Sequence, residues 1–314
     1  MYYMGIDVGS TTCKVVIIDT VGKLVCSYIE KVYAEPLDVI KEILKKIDLD
    51  IFKIKKVGVT GSARILIAKC INSDIVKSEI IAHTYAAVKQ FQNVGSIIEI
   101  GGQDSKFVKL ENNMIKDFKI NSVCAAGTGS FIEWQAKRLN LSVEEFDKLA
   151  LESNKKLNIA GKCAVFIESA IINYQRIGES KKNITNAICE VLVKNYLNEV
   201  CKGEILEEPI IFQGGVAKIK AMQKAFEKTL GKKIFVSDNC QNMGALGMAL
   251  IAKDTNETGK KDKLNLNNIY FKSYKRDTAN CGGCPRNCEV TKFIDEETNS
   301  KFIIGGRCGK NSVL

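Results

Sequence analysis

The 314 residues are enough for two sizeable cores, and a content of 46% hydrophobic and 26% charged residues is that of a globular chain. The net charge of +10 comes from lysines placed singly or in pairs, such as Lys45-Lys46 and Lys232-Lys233, without an arginine stripe or interleaved aromatics. That pattern reads as solvated faces that could steer an acidic protein or a polyphosphate, so no nucleic-acid partner is expected.

In chain order, the opening Tyr2-Tyr-Met-Gly-Ile6 is strand-like and resembles neither a signal nor a transit peptide. No run of 18 apolar residues follows, so a cytoplasmic, membrane-free protein is expected. A strand–turn–strand unit, Met4–Ile6 to Val15–Ile18 around Asp7-Val-Gly-Ser-Thr-Thr-Cys-Lys14, is followed by a third strand over 23–32 and a helix over 37–47. A strand over 56–60, a helix over 63–69, a short strand near Ile75 and a helix through His83 and Gln90 complete a first half, residues 1–93. The turn then recurs without gaps as Glu99-Ile-Gly-Gly-Gln-Asp-Ser-Lys106, matching Asp7/Glu99, Gly9/Gly101 and Lys14/Lys106. Two such hairpins predict a duplicated α/β domain with a cleft between the halves. The second half, 94–253, is expected to end in a strand over 209–213, the turn Gly214-Gly-Val-Ala-Lys218, a helix to Leu230, a strand over 233–236 and a helix over 243–253 that packs on the first half. Residues 254–268 read as a polar linker, and 254–314 as linker plus Cys-rich tail.

The single histidine, His83, excludes histidine triads unless it serves alone, and its helical Ile80-Ile-Ala-His-Thr-Tyr85 setting suggests packing. Twelve cysteines in a chain expected to be cytoplasmic favour metal or redox chemistry over disulfides. Cys124, in Cys-Ala-Ala-Gly127-Thr-Gly129, and Cys163, in Gly161-Lys-Cys-Ala-Val-Phe166, each precede an apolar-periodic helix. A helix N-terminus favours thiolate, and an Fe–S cluster usually needs four. Two are half a site, which a two-fold dimer would complete; the alternative is ordinary buried thiols.

The turn at Gly9, Ser10, Thr11 and Thr12, with Asp7 as a carboxylate for Mg2+ and Lys14 behind it, offers N–H groups and hydroxyls to phosphate. Gly101 and Gly102 offer the same from the other half, and Gly214, Gly215, Val216 and Ala217 form a third turn between strand and helix. Together these segments resemble the nucleotide site of the superfamily of acetate and sugar kinases, heat-shock chaperone ATPases and actin, with its duplicated ribonuclease-H-like domains. Asp7-Val-Gly-Ser-Thr-Thr12, Ile100-Gly-Gly-Gln-Asp-Ser-Lys106, the two cysteine motifs and Gln213-Gly-Gly-Val-Ala217 resemble, over about residues 3–252, the BadF/BadG/BcrA/BcrD-type ATPases, activators of 2-hydroxyacyl-CoA dehydratases and related reductases.

The resemblance implies a homodimer that binds ATP or ADP with Mg2+ and holds one [4Fe–4S] cluster between subunits through Cys124 and Cys163. It also implies a ferredoxin or flavodoxin donor and an Fe–S dehydratase or reductase as acceptor, a double-cubane cluster protein being the variant. Asp7, Gln103 and Asp104 are the catalytic candidates, the latter two for orienting water; Gly127 and Gly129 would join the nucleotide site. Gly61-Ser-Ala departs from the family's glycine-aromatic-glycine turn. A small-molecule kinase is the alternative, although no carboxylate base for its substrate stands out. In the tail, Cys281, Cys284, Cys288 and Cys308 follow C-x2-C-x3-C-x19-C, a spacing suited to Zn2+ or a second Fe–S cluster. The other cysteines read as packing residues.

Overall fold

The duplication read from two short turns extends to whole sheets. The computed structural model describes residues 1–33, 35–48, 51–73, 75–121, 127–153, 155–161, 163–256, 266, 273–296 and 299–306. The expectations placed on Cys124 and Cys308 lie outside the described residues.

The first half runs β1 (Tyr2–Val8), β2 (Thr12–Ile18), β3 (Leu24–Lys31), α1 (Pro36–Lys45), β4 (Ile54–Thr60), α2 (Arg64–Ile71), β5 (Ile75–Val76) and α3 (Glu79–Gln90). The second runs β6 (Ser96–Ile100), β7 (Ser105–Glu111), β8 (Met114–Asn121), α4 (Gly129–Arg138), α5 (Val143–Leu151), α6 (Ala164–Arg176), α7 (Lys181–Glu199), β9 (Ile210–Gln213), α8 (Lys220–Leu230), β10 (Ile234–Val236) and α9 (Met243–Asp254). Their sheets have the orders β3-β2-β1-β4-β5 and β10-β9-β6-β7-β8. Each is a three-stranded antiparallel meander extended by two parallel strands on the side of its first strand.

Sequence follows position in the sheet. Strand β1, with neighbours on both sides, is buried from Tyr3 to Val8, whereas the outer strand β3 alternates half-buried and exposed residues. Helix boundaries carry their own chemistry: Pro36 opens α1, Asn72 closes α2 in the left-handed region, and Ser142 with Glu145 forms a capping box on α5.

The two halves share a core. Tyr3, Val16 and Ile18 of the first sheet meet Ile97, Val108 and Ile211 of the second through Ile80, Ala86, Leu246 and Ala249 of α3 and α9. Helix α9 is buried from Met243 through Ala252, as a helix apolar on all sides must be. It lies backbone to backbone on its neighbours: a methyl group added to Gly5 of β1 would sit 1.8 Å from the Ala245 carbonyl oxygen, and one on Gly247 would sit 1.9 Å from that of Ala82 in α3. Among the described residues, no helix is long and apolar enough to cross a membrane.

Beyond α9 the chain forms a third sheet, β11 (Tyr274–Asn280), β12 (Glu289–Asp295) and β13 (Lys301–Gly305), joined antiparallel. Phe293 stacks on Phe302, and Tyr274 meets both edge-on. Tyr274 and Phe302 also pack against the first-half core, where Leu266 is buried. Arg276 donates to both oxygens of Glu35, at 2.7 and 2.6 Å. The tail is thus seated on the first half.

Candidate functional site

The two hairpin turns close by the same bond. Gly9 donates its N–H to the Thr12 carbonyl at 3.1 Å, and Gly101 donates to the Asp104 carbonyl at 3.0 Å. Behind each turn the acid and the lysine stand directly opposite across the hairpin, Asp7 against Lys14 and Glu99 against Lys106. Lys14 Nζ lies 3.3 Å from Asp7, and Lys106 Nζ lies 2.9 Å from Glu99. The turns then meet: a methyl group on Gly102 would come 2.1 Å from Thr11 Oγ1, so only glycine admits this approach.

Between the halves opens a cleft of about 560 Å3, a volume suited to a nucleotide. Ser10, Thr11, Thr12 and Lys14 line one wall, Gly101, Gly102, Gln103 and Gly129 another, and Gly214, Gly215 and Val216 a third. Asp7 and Ala217 are buried beneath their turns, and Gly127 is buried shortly before α4. Asp104 is turned into an ion cluster: Lys106 Nζ is 2.9 Å from Asp104, 2.9 Å from Glu99 and 2.8 Å from Glu79 at the start of α3. Burial works against the Lys106 ammonium, but Glu99, Glu79 and Asp104 hold its pKa well above the usual lysine value. Burial likewise works against the Glu99 carboxylate, and Lys106, His83 and Lys14 together keep its pKa below the ordinary range.

Asp7 and Thr11 suit Mg2+, which keeps much of its water and takes one or two carboxylates beside substrate phosphates. Among the described residues, no group of three or more His, Cys, Asp or Glu is arranged to hold a metal ion without such help.

Sequence reasoning missed His83 as a site residue. It is buried, as a packing residue would be, but it also lines the cleft and is bonded to Gln213, 130 positions away. Lys31 and Glu133, 3.2 Å apart, span the cleft between β3 and α4 and carried no motif.

The cysteine motifs lead into helices. Helix α4 begins on the second hairpin, with Gly129 N–H bonded to the Gly101 carbonyl at 2.8 Å and Ser130 N–H to the Gly102 carbonyl at 2.9 Å. Cys163 is exposed and occupies the N-cap of α6, its carbonyl accepting from Phe166 and Ile167 at 3.1 Å each. Arg138 of α4 is ion-paired to Glu168 of α6. Large apolar side chains stand in the open on both helices: Trp134 is 55% exposed, Val165 64% and Phe166 66%. By contrast, Cys13, Cys70, Cys189, Cys201 and Cys240 are buried, and burial pushes the Cys201 thiol up to about 12. In the tail, Cys281 is buried and its N–H bonds to the Cys288 carbonyl at 2.9 Å, while Cys284 and Cys288 are half-buried.

The chain is 32% identical over 272 residues to the 2-hydroxyisocaproyl-CoA dehydratase activator of Clostridioides difficile, covering 85% of this chain and all of that one. The solved structure of a Clostridium difficile activator of 2-hydroxyisocaproyl-CoA dehydratase with bound ADPNP superposes with a TM-score of 0.74 at 32% identity, over 81% of this chain and 95% of that one. Component A of the Acidaminococcus fermentans (R)-2-hydroxyglutaryl-CoA dehydratase gives a TM-score of 0.74 at 31% identity, over 81% and 98%. The family model for the BadF/BadG/BcrA/BcrD ATPases matches residues 4–252, from the first strand through nearly all of α9, and the chain belongs to that family.

Proposed function

We propose that this chain is an ATP-driven reductive activator. ATP and Mg2+ would occupy the cleft between the halves. A [4Fe–4S] cluster would be held by Cys124 and Cys163 of each of two copies, and an Fe–S dehydratase of 2-hydroxyacyl-CoA substrates or a related reductase would accept the electron. A ferredoxin or flavodoxin is the donor this reading calls for. When bound, the cluster supplies one electron at low potential.

The observation that carries the reading is the seating of α4 on the phosphate turn. Gly101 and Gly102 line the cleft with one side of their backbone and hold the first amides of α4 with their carbonyls. A shift of that turn on nucleotide binding moves α4 directly, and the Arg138–Glu168 pair carries α6 along with it. Cys163 suits a shared cluster: its thiol is exposed at a helix N-terminus, where the dipole favours thiolate. The exposed Trp134, Val165 and Phe166 suit burial against a second copy. Gln103 lines the cleft and suits a water-orienting role, whereas Asp104 is held by Lys106.

Anaerobic purification tests the reading. The expected protein is brown, with about four irons per two chains, and passes electrons to a low-potential acceptor only while ATP is hydrolysed. Cys163→Ser should lose the colour and the electron transfer and keep nucleotide binding. A colourless anaerobic protein with normal ATP turnover would sink the proposal.

A further inference from the structure

The only histidine of the chain joins three parts of the nucleotide site. Its ring lies on α3, which is wedged between the two sheets. Nδ1 is 3.2 Å from Gln213 Oε1, and Gln213 Nε2 donates back to the His83 carbonyl at 3.4 Å. The reciprocal pair fixes both groups: the amide oxygen of Gln213 faces Nδ1–H, and Nε2 is left outside the pair. Gln213 ends β9 and immediately precedes the Gly214-Gly215 turn, so its position sets where that turn begins.

The other ring nitrogen faces the first half. A methyl group on Gly244, in the first turn of α9, would lie 3.0 Å from His83 Nε2 and 2.7 Å from Asp7 Oδ2. The imidazole and the Asp7 carboxylate therefore approach one another over a glycine that leaves the space between them open. One turn of α3 earlier, Glu79 reaches Lys106 behind the second hairpin. Helix α3 is thus bonded to two phosphate turns of the second half, while His83 looks at the acid of the first.

We propose that His83 is a positioning residue that aligns the Gly214-Gly215 turn with the Asp7 hairpin, so that a nucleoside triphosphate is gripped by both halves at once. The assignment rests on the cleft being the ATP site and adds a residue to it. A diphosphate that engages fewer of the turns depends less on their mutual alignment.

The test uses the full chain with Mg2+ and compares ADPNP and ADP binding by calorimetry. His83→Ala takes the imidazole donor away from the buried Gln213 amide oxygen and should weaken ADPNP binding about tenfold, with ADP changed less than about threefold. His83→Asn, whose amide N–H can stand in for Nδ1–H, should recover most of the ADPNP affinity. Equal losses for the two nucleotides, or failure of Asn to recover what Ala loses, would assign the residue to packing alone and overturn the proposal. Electron transfer by the unaltered protein is scored separately: its absence sinks the activator reading and leaves the nucleotide comparison standing.

Discussion

Gly129 donates its backbone N–H to the carbonyl oxygen of Gly101 at 2.8 Å, so the helix that follows the first cysteine motif begins on the turn of the second hairpin. Ser130 N–H bonds to the Gly102 carbonyl in the same way at 2.9 Å, so no side chain intervenes between turn and helix.

The closeness of the turns at Gly102 gives the sharpest prediction. Gly102→Ala puts a methyl group against Thr11, forcing the hairpins apart where they meet. ATP turnover should fall about a hundredfold, the scale expected for a displacement of order 1 Å in a site, while the far-ultraviolet circular dichroism stays unchanged. Turnover within about twofold of the parent would show that the hairpins need not touch.

Lys106 is ion-paired to three carboxylates. Lys106→Met should cost about 3–5 kcal/mol of unfolding free energy, because Glu99 is left buried without its ion-pair partner. Adding Glu99→Gln to that variant should return part of the loss, giving non-additive values in urea titrations.

The same cluster sets a pH dependence. The pKa of Glu99 is depressed on folding, so its contribution is present above the ordinary carboxylate value of 4.5 and is lost as pH falls below it. Those of Lys14 and Lys106 are raised, so theirs is complete below 10.5 and is lost only at more alkaline pH. The thermal midpoint should therefore be flat between these limits as far as these groups are concerned. Glu99→Gln should flatten the acid limb and leave the neutral region without a pH slope. An unchanged acid limb in that variant would assign acid unfolding to other carboxylates.

At the tail, the Arg276–Glu35 pair is solvent-exposed and Arg276→Ala should cost under about 1 kcal/mol. Tyr274→Ala and Phe302→Ala remove apolar surface from the first-half core and should each cost about 2 kcal/mol. Denaturant unfolding of the three variants compares them directly. A larger effect for Arg276 would make the tail a charged clasp rather than an apolar lid.

The duplicated hairpins were legible because their acid, glycine and lysine recur at fixed spacing, and cross-strand pairing turns that spacing into contact. The helices after the cysteine motifs were legible from their apolar period. Strand β11 was not: Tyr-Lys-Arg-Asp-Thr-Ala-Asn has almost no apolar content and earns its place by pairing with β12. His83 was read as a buried helical residue, and it is one. Its bond to Gln213 joins positions 130 apart, which no local pattern records. Glu79 was missed for the same reason, since its partner Lys106 belongs to the other half.

The glycine bed under α9 has a mechanical consequence. Where Gly5 meets Ala245 and Gly247 meets Ala82, main chain rests on main chain, with no interleaved side chains to change rotamer or slip by a notch. Sliding there would force backbone atoms together, so β1, α9 and α3 form one rigid body. Any displacement of one half against the other therefore falls to the side-chain contacts with Ile97, Val108 and Ile211 of the second sheet.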